Sequence, residues 1–165
     1  MAKSRVVAVA GAVVLLLVGC AHHSTADVPS TSKPKTGPAV AALAAAPVRS
    51  TWRSVGAAPD ARLRQPGSTP SLRGLEQETS FWTARDDIDD EMSWITAHPP
   101  VGYRYSTTSD GGGPEGAEPR TVSFDKIQPA DELPKVDIVY TLFALDDVET
   151  GIRADAQASS NPAYN

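Results

Sequence analysis

The sequence predicts an α+β domain in which one amphipathic helix packs on a small antiparallel sheet, behind a signal peptide and a disordered tether. Apolar residues recur at helical spacing in the middle of the chain and alternate at strand spacing in its second half. An uncharged apolar run and a Pro- and Ser-rich stretch precede both. We therefore predict a signal peptide over residues 1–19, a tether over 20–50 and one small α+β domain over 51–165.

The start of the chain has the features of an export signal. Lys3 and Arg5 supply positive charge, and Val6 to Val18 is an uncharged run of apolar residues and glycine. As a helix this run rises about 20 Å, which is too short for a hydrocarbon core of about 30 Å. The segment is therefore predicted to be a signal peptide rather than a permanent membrane span.

The run ends in Leu17-Val18-Gly19-Cys20, which resembles the lipobox of bacterial lipoproteins. The resemblance implies that cleavage precedes Cys20, that its thiol receives a diacylglycerol, and that acyl chains such as palmitate hold the protein on the extracytoplasmic face of the cell membrane. The alternative is an ordinary secretory signal with a chance cysteine. Cys20 is the only cysteine, which excludes disulfides and a cysteine-based metal site or nucleophile in the domain.

Residues 21–50 have the composition of a disordered tether. Ser, Thr, Pro, Lys and Ala dominate, so the segment buries too little apolar surface to offset its ordering entropy. Ala39 to Ala46 is bracketed by Pro38 and Pro47 and is predicted to be too short for a stable helix in water. We therefore expect residues 21–47 to be dispensable for the stability of the domain.

One helix is predicted at Ala84–Ala97, at the end of a segment that begins its helical pattern at Leu75. Thr83 and Asp86 match a capping box, and the sequence His98-Pro99-Pro100 ends the helix. The predicted helical face consists of Phe81, Ile88, Met92 and Ile95.

After the helix the apolar period changes to two, which predicts an antiparallel sheet of three to five strands. Val136–Leu145 is apolar on both faces and is expected to be a central strand. Asp110–Gly116 is expected to be a mobile loop between the first two strands. The other candidate strands are an edge strand at Arg49–Val55, then 103–105, 121–124 and a return strand at Ile152–Ala158.

The charge balance argues against nucleic-acid binding. Seven basic and two acidic residues lie between Cys20 and Gly74, whereas six basic and eighteen acidic residues follow. An acidic domain repels phosphate backbones. The basic stretch beside the anchor would be attracted to anionic headgroups, although the same bias also solubilises a tether.

Three residue groups suggest metal or phosphate chemistry, and each has a simpler structural explanation. The acidic run Asp86–Glu91 lacks the glycine and alternate spacing of a calcium loop, so we predict a solvated helix face. Gly111–Gly113 lacks the Lys-Ser/Thr pair and following helix of a phosphate-binding loop. His22 and His23 would supply only two metal ligands on a flexible tether, which is too few for a site. No metal and no cofactor are expected.

The remaining candidates are His98, two tryptophans and a charge pair. No nucleophile-elbow motif accompanies His98, which is predicted to interact with the last helix carbonyls. Trp82 and Trp94 either line an aromatic groove or pack in the core. Arg153 and Asp155 form either an anion-recognising edge or, as we favour, a surface charge pair. No catalytic residue is predicted.

Three stretches together resemble a group of uncharacterised exported proteins of high-GC Gram-positive bacteria (actinobacteria). They are Phe81–Thr83, Trp94–Gly102 and Gly151–Gln157. The resemblance implies a location in the cell envelope and carries no assigned activity. In that group an apolar strand follows the last stretch, whereas Ala158–Asn165 is polar here, so we expect a shortened chain or an unpaired sheet edge.

These observations favour a non-enzymatic envelope lipoprotein whose domain binds a protein or a wall component. An accessory lipoprotein that binds a small ligand and a small hydrolase are the alternatives. A polar pocket around Trp82, Trp94 and His98 would favour the small ligand, and a Ser or Asp beside His98 would favour the hydrolase. A flat apolar patch would favour the first interpretation.

Overall fold

The computed structural model describes residues 37–65, 75–111 and 118–161. The predicted signal peptide, Cys20 and the first part of the predicted tether lie outside the described residues, as do the tip of the glycine-rich loop and residues 162–165. Within the described ranges, no helix is both long and apolar enough to span a membrane.

The domain is an α+β unit on one six-stranded antiparallel sheet, which confirms the α+β class, although the sheet has more than the three to five strands predicted and a second helix joins the one predicted. The strands lie in the order β1-β2-β6-β5-β4-β3. In chain order they are β1 (Arg53–Val55), β2 (Leu75–Ala84), β3 (Tyr103–Ser109), β4 (Arg120–Lys126), β5 (Lys135–Ala144) and β6 (Thr150–Ser159). Two α-helices, α1 (Pro38–Ala45) and α2 (Ile88–Ala97), and a short 3-10 turn, Ala61–Leu63, complete the described structure.

The segment predicted to start the helix at Leu75 is instead β2. It pairs with β6 along ten residues, and Phe81 lies in this strand opposite Arg153. The gap of seven between Phe81 and Ile88 therefore matches a helical face only by coincidence. Backbone pairing along the whole segment outweighs a weak local pattern.

Helix α2 ends at Ala97 as predicted but begins four residues later than Ala84. Its N-cap is Asp87, whose carboxylate accepts a hydrogen bond from the Asp90 backbone N–H at 2.8 Å. The predicted capping box of Thr83 and Asp86 is therefore wrong, because Thr83 still belongs to β2. Asp87, the residue after Asp86, supplies the N-cap instead.

β5 and β6 form the centre of the sheet. The predicted central strand over Val136–Leu145 and the predicted return strand are both confirmed. β6 pairs with β2 on one side and β5 on the other, and all ten of its residues are buried. The expectation of an unpaired edge at β6 is therefore wrong. Short β1 and exposed β3 are the outer strands instead.

Helix α1 packs on the sheet, which corrects the prediction of a tether over 20–50. Ala39 is fully buried, and the helix contacts β2, β5 and β6. At its start the Glu76 carboxylate accepts a hydrogen bond from the Ala39 N–H at 3.1 Å. After its end the Tyr140 hydroxyl donates to the Pro47 carbonyl at 2.9 Å. Tertiary packing supplies the stability that eight isolated residues lack, so the folded unit begins no later than Pro38.

The two faces of the sheet differ in chemistry, because side chains alternate along each strand. The face under α1 and α2 is apolar and includes Trp82, Phe124, Ile138, Tyr140, Ile152 and Ala154. The alternate positions of the same strands carry mostly polar side chains, including Thr79, Asp125, Asp137, Thr141, Arg153 and Asp155. Candidate chemistry therefore lies on this polar face and at the ends of its strands.

Candidate functional site

The two predicted groove tryptophans pack with a third one against the sheet. The Trp52 ring centroid lies 5.8 Å from that of Trp82 and 5.3 Å from that of Trp94. Trp82 is buried in the hydrophobic core, and Trp94 packs against that core. These residues do not line either of the two clefts described below. Core packing, rather than an aromatic groove, accounts for them.

His98 behaves as the sequence predicts for a histidine at a helix end. Its Nδ1 lies 2.7 Å from the Trp94 carbonyl oxygen, and its ring stacks on the Trp94 ring at 4.5 Å between centroids. In the part of the chain that the structure describes, no Ser or Asp side chain hydrogen-bonds to His98. The arrangement that would favour a hydrolase at this residue is not formed there.

The prediction of a solvated helix face for the acidic run holds only for Asp89 and Asp90, because Asp86 precedes α2 and pairs with Arg49, and Asp87 is the N-cap. Glu91 is fully buried, which corrects the prediction for this residue. Its carboxylate accepts hydrogen bonds from Trp52 Nε1 at 2.7 Å and Arg49 Nη1 at 3.1 Å. Burial raises the pKa of Glu91 above its usual range. This carboxylate therefore fastens the segment after α1 to α2. Among the described residues, no group of three or more His, Cys, Asp or Glu is arranged to hold a metal.

Arg153 and Asp155 do pair, but inside the protein rather than at its surface. Arg153 is 4% exposed and Asp155 is 0% exposed. The guanidinium donates to the carboxylate through Nε and Nη2, and its Nη1 donates to the carbonyls of Leu63 at 2.9 Å and Arg64 at 2.7 Å. The predicted surface charge pair is therefore wrong, because the segment around the 3-10 turn lies over these side chains.

The buried Asp155 carboxylate has further donors on β2. Thr79 Oγ1 donates to Asp155 Oδ1 at 2.6 Å, and Gln77 Nε2 donates to the same oxygen at 2.9 Å. A buried ion pair needs such additional hydrogen bonds to offset the cost of leaving water. This network joins β2, β6 and the 3-10 turn, and its groups are engaged with one another. It serves the fold rather than a ligand.

A cleft of about 720 Å³ lies at the sheet end where β3 begins, β4 ends and β5 begins. We call it the β3–β4–β5 cleft. It is lined by Arg104, Asp125, Lys126, Gln128, Ala130, Lys135, Val136 and Asp137. A second cleft, of about 560 Å³ and lined in part by Arg53, Arg85 and Asp146, lies at the opposite end. These three charged residues are exposed, as is usual for surface groups.

Two neighbouring carboxylates line the β3–β4–β5 cleft. Asp125 on β4 and Asp137 on β5 are register partners, and both are half-buried. Neither forms an ion pair with a residue that the structure describes. Burial, with the charge of Asp125 and more weakly that of Asp155, raises the pKa of Asp137 to about 6. Like charges opposite each other on neighbouring strands destabilise a sheet, so folding alone does not explain this pair.

Arg104 contributes a positive charge to the same cleft. It is the β3 register partner of Asp125 and is exposed, yet no ion pair forms between the two side chains. The cleft therefore presents opposite charges that stay separate. A strained or perturbed charge group in a concave site is a frequent mark of function.

The wall of the cleft is a loop, residues 127–134, that its own side chains hold in place. Gln128 Nε2 donates to the carbonyls of Glu132 at 2.8 Å and Pro134 at 3.1 Å, and Lys135 Nζ donates to the Pro129 carbonyl at 3.2 Å. Gln128 Oε1 is buried and has no hydrogen-bond partner within the described ranges. The hydrogen bonds of Gln128 and Lys135 thus fix the shape of the wall.

The sequence does not single out this cleft. Asp137 is the one charged residue in the largely apolar run Val136–Leu145, whereas Asp125 continues the polar and apolar alternation of Thr121–Asp125. The charge within the apolar run is the one available signal. It becomes meaningful only once the β4–β5 register places the two carboxylates opposite each other.

Replacing Asp137 by Asn is expected to stabilise the domain at neutral pH. The folded-state pKa of Asp137 is raised from 3.8 to about 6, so folding favours its protonated form. Its contribution to stability is present below about pH 4 and is lost as the pH rises through 6. Asn mimics the protonated form at every pH. We expect a gain of about 1–2 kcal/mol at pH 7.5, after allowance for partial exposure, and almost none at pH 4.

Urea unfolding of the parent and Asp137→Asn at the two pH values measures this difference. Asp131→Asn is the matched control, because Asp131 is exposed in the adjacent loop and should change little at either pH. An Asp137→Asn variant that is no more stable than the parent at pH 7.5 would contradict the strain assigned to the carboxylate pair.

Comparison of the chain with family models, with curated proteins and with solved structures finds no match.

Proposed function

We propose that the chain is a lipoprotein, anchored through Cys20 on the extracytoplasmic face of the cell membrane, whose α+β domain is a non-enzymatic binding module. The positive start, the apolar run and the lipobox resemblance support the anchor. The resemblance of three further stretches to exported actinobacterial proteins supports an envelope location. The acidic domain argues for a protein or wall component rather than nucleic acid.

The β3–β4–β5 cleft is the observation that carries the binding function. It is concave, its loop wall is fastened by hydrogen bonds, and its charged residues Arg104, Asp125 and Asp137 form no ion pair with a residue that the structure describes. Ligand sites combine such a preformed cavity with a few convergent polar groups. This arrangement supports a ligand held at the sheet end rather than at the tryptophans.

Hydrolysis is a second candidate, supported by one observation. A carboxyl group with a pKa of about 6 beside a second carboxylate is the pattern of an acid–base pair. Neither carboxylate forms an ion pair with a described residue that would orient it, which is why we favour binding. Recovery of a bound ligand unchanged after long incubation would favour binding, and its cleavage would favour hydrolysis.

The signal peptide over 1–19 remains part of this proposal, whereas the tether becomes shorter. Because the folded unit begins no later than Pro38, we assign residues 20–37 to the tether. Eighteen residues reach about 60 Å when fully extended. The domain can therefore stand clear of the headgroups while it stays bound to the membrane.

Cys20→Ser is expected to release the protein from the membrane or to leave it unprocessed. A serine hydroxyl cannot form the thioether that links the cysteine to diacylglycerol. Without that lipid the protein lacks the two or more acyl chains that stable anchoring requires. Membrane fractionation and gel mobility of the two proteins, expressed in an actinobacterial host, give the measurement. Ser24→Ala, four residues further on, is the matched control and should fractionate like the parent. Parent-like fractionation and mobility of Cys20→Ser would refute the anchor.

A further inference from the structure

We infer that the β3–β4–β5 cleft binds a short peptide with free ends, taking its ammonium group at the two carboxylates and its carboxylate group at Arg104. The inference rests on the proposed binding function and names the chemical class of the ligand.

The cleft keeps opposite charges apart. Asp125 is the register partner of Arg104 on one side and of Asp137 on the other, yet none of the three forms an ion pair with a described residue. Elsewhere in the same domain, half-buried or buried carboxylates such as Asp86 and Asp155 do have arginine partners. Charges left separate in a cavity retain their capacity to bind a ligand.

The charged groups of the lining match the two ends of a free peptide. Carboxylates accept hydrogen bonds from an ammonium group, which has three N–H donors. Gln128 also lines the cleft. The guanidinium of Arg104 offers the forked donors that fit a carboxylate.

The mixed charge of the lining excludes simpler ligands. A divalent cation would meet Arg104, Lys126 and Lys135 in the same lining. A simple anion would meet the two aspartates. A molecule with both charges satisfies both sets, and about 720 Å³ is room for a few residues rather than for an ion.

The surroundings of the cleft include exposed aliphatic side chains. Val101 is 95% exposed, Ile127 is 64% exposed and Leu133 is 41% exposed. The Ile127 N–H donates to the Gly102 carbonyl at 2.8 Å, which brings the α2–β3 turn beside the β4–β5 loop. Exposed aliphatic side chains near a polar cleft provide contacts for the carbon atoms of a peptide.

Calorimetric titration of the full lipidated chain in detergent at pH 7.5 tests this inference. The probes are tri-alanine and Ala-Lys-Ala with free ends, and the same peptides with an acetylated amino end or an amidated carboxyl end. We expect at least one free peptide to bind, and each blocked form of it to bind about tenfold or more weakly. Calcium chloride and sodium acetate alone should give no binding heat.

Variants of the lining residues test which end of the peptide each residue binds. Asp137→Asn should weaken the free peptide about tenfold, and its expected higher stability separates lost binding from unfolding. Arg104→Gln should weaken the free peptide but not the amidated one. Arg53→Gln, at an exposed arginine of the opposite cleft, should bind like the parent. No binding of either free peptide, or equal binding of the blocked forms, would overturn the inference.

A second measurement separates this inference from the function on which it rests. A photoreactive residue at Ala130, an exposed lining position, reports what lies at the cleft in living cells, with Val148, 69% exposed at the opposite end, as the control position. If neither free peptide binds but Ala130 alone crosslinks a partner, the ligand class is wrong and the binding function stands. If peptides bind but Cys20→Ser fractionates like the parent, the anchor is wrong and the ligand class stands.

Discussion

Replacing Arg153 by Met is expected to lower the free energy of unfolding by about 3–5 kcal/mol. The change leaves the Asp155 carboxylate, which is 0% exposed, without its cationic partner. It also removes the donor that serves the Leu63 and Arg64 carbonyls. Such a loss is a large part of the roughly 5–15 kcal/mol that stabilises a typical domain.

Urea unfolding at neutral pH measures this loss, with Arg62→Met as the matched control. Arg62 also pairs with an aspartate and lies over the Phe143 ring, but its side chain is 48% exposed, so its removal should cost much less than that of Arg153. In the double variant Arg153→Met with Asp155→Leu, no unpaired charge remains, and much of the lost stability should return. If Arg153→Met costs no more than Arg62→Met, the pair does not hold the 3-10 turn to the sheet.

Deleting residues 21–47 is expected to destabilise the domain by about 3 kcal/mol or more, whereas deleting 21–36 should have little effect. The longer deletion removes the buried Ala39 and Ala42 and uncovers the apolar sheet face beneath α1. It also leaves the Tyr140 hydroxyl without the Pro47 carbonyl as acceptor. Lost apolar burial and an unpaired buried hydroxyl each cost on the order of 1–3 kcal/mol.

The two deletions are compared by thermal unfolding in the lipidated chain, with residues 1–20 kept in both. The shorter deletion is the control for loss of the tether itself. Equal melting temperatures for the two deletions would mean that α1 adds nothing to the fold, and would restore the tether first expected over this whole segment.

Sequence periodicity predicts the elements whose apolar pattern is strong and local. β5 is a run of apolar residues on both faces, β6 alternates, and the prolines after His98 mark the end of α2. β2 escapes prediction because its first half carries polar side chains on both faces. α1 escapes because alanine-rich octapeptides are unstable alone, and only the sheet beneath the helix makes it stable.

The candidate site depends on register, which a single sequence does not contain. Asp125 and Asp137 are twelve positions apart and become neighbours only through the pairing of β4 with β5. Arg104 joins them through the pairing of β3 with β4, which spans the glycine-rich loop. The residues with familiar chemical roles, Trp94 and His98, instead pack against each other at the end of α2.

The position of α1 has a mechanical consequence for a chain that is held at one end. A pull between the anchor and a partner would enter the domain at Gly37 and pass through α1 to the long strands β2, β6 and β5. Glu76, which bonds the first turn of α1, would be among the first contacts to bear that load. The chain runs from α1 directly into the short outer strand β1, so tension that detached α1 from the sheet would next reach the sheet's weakest edge.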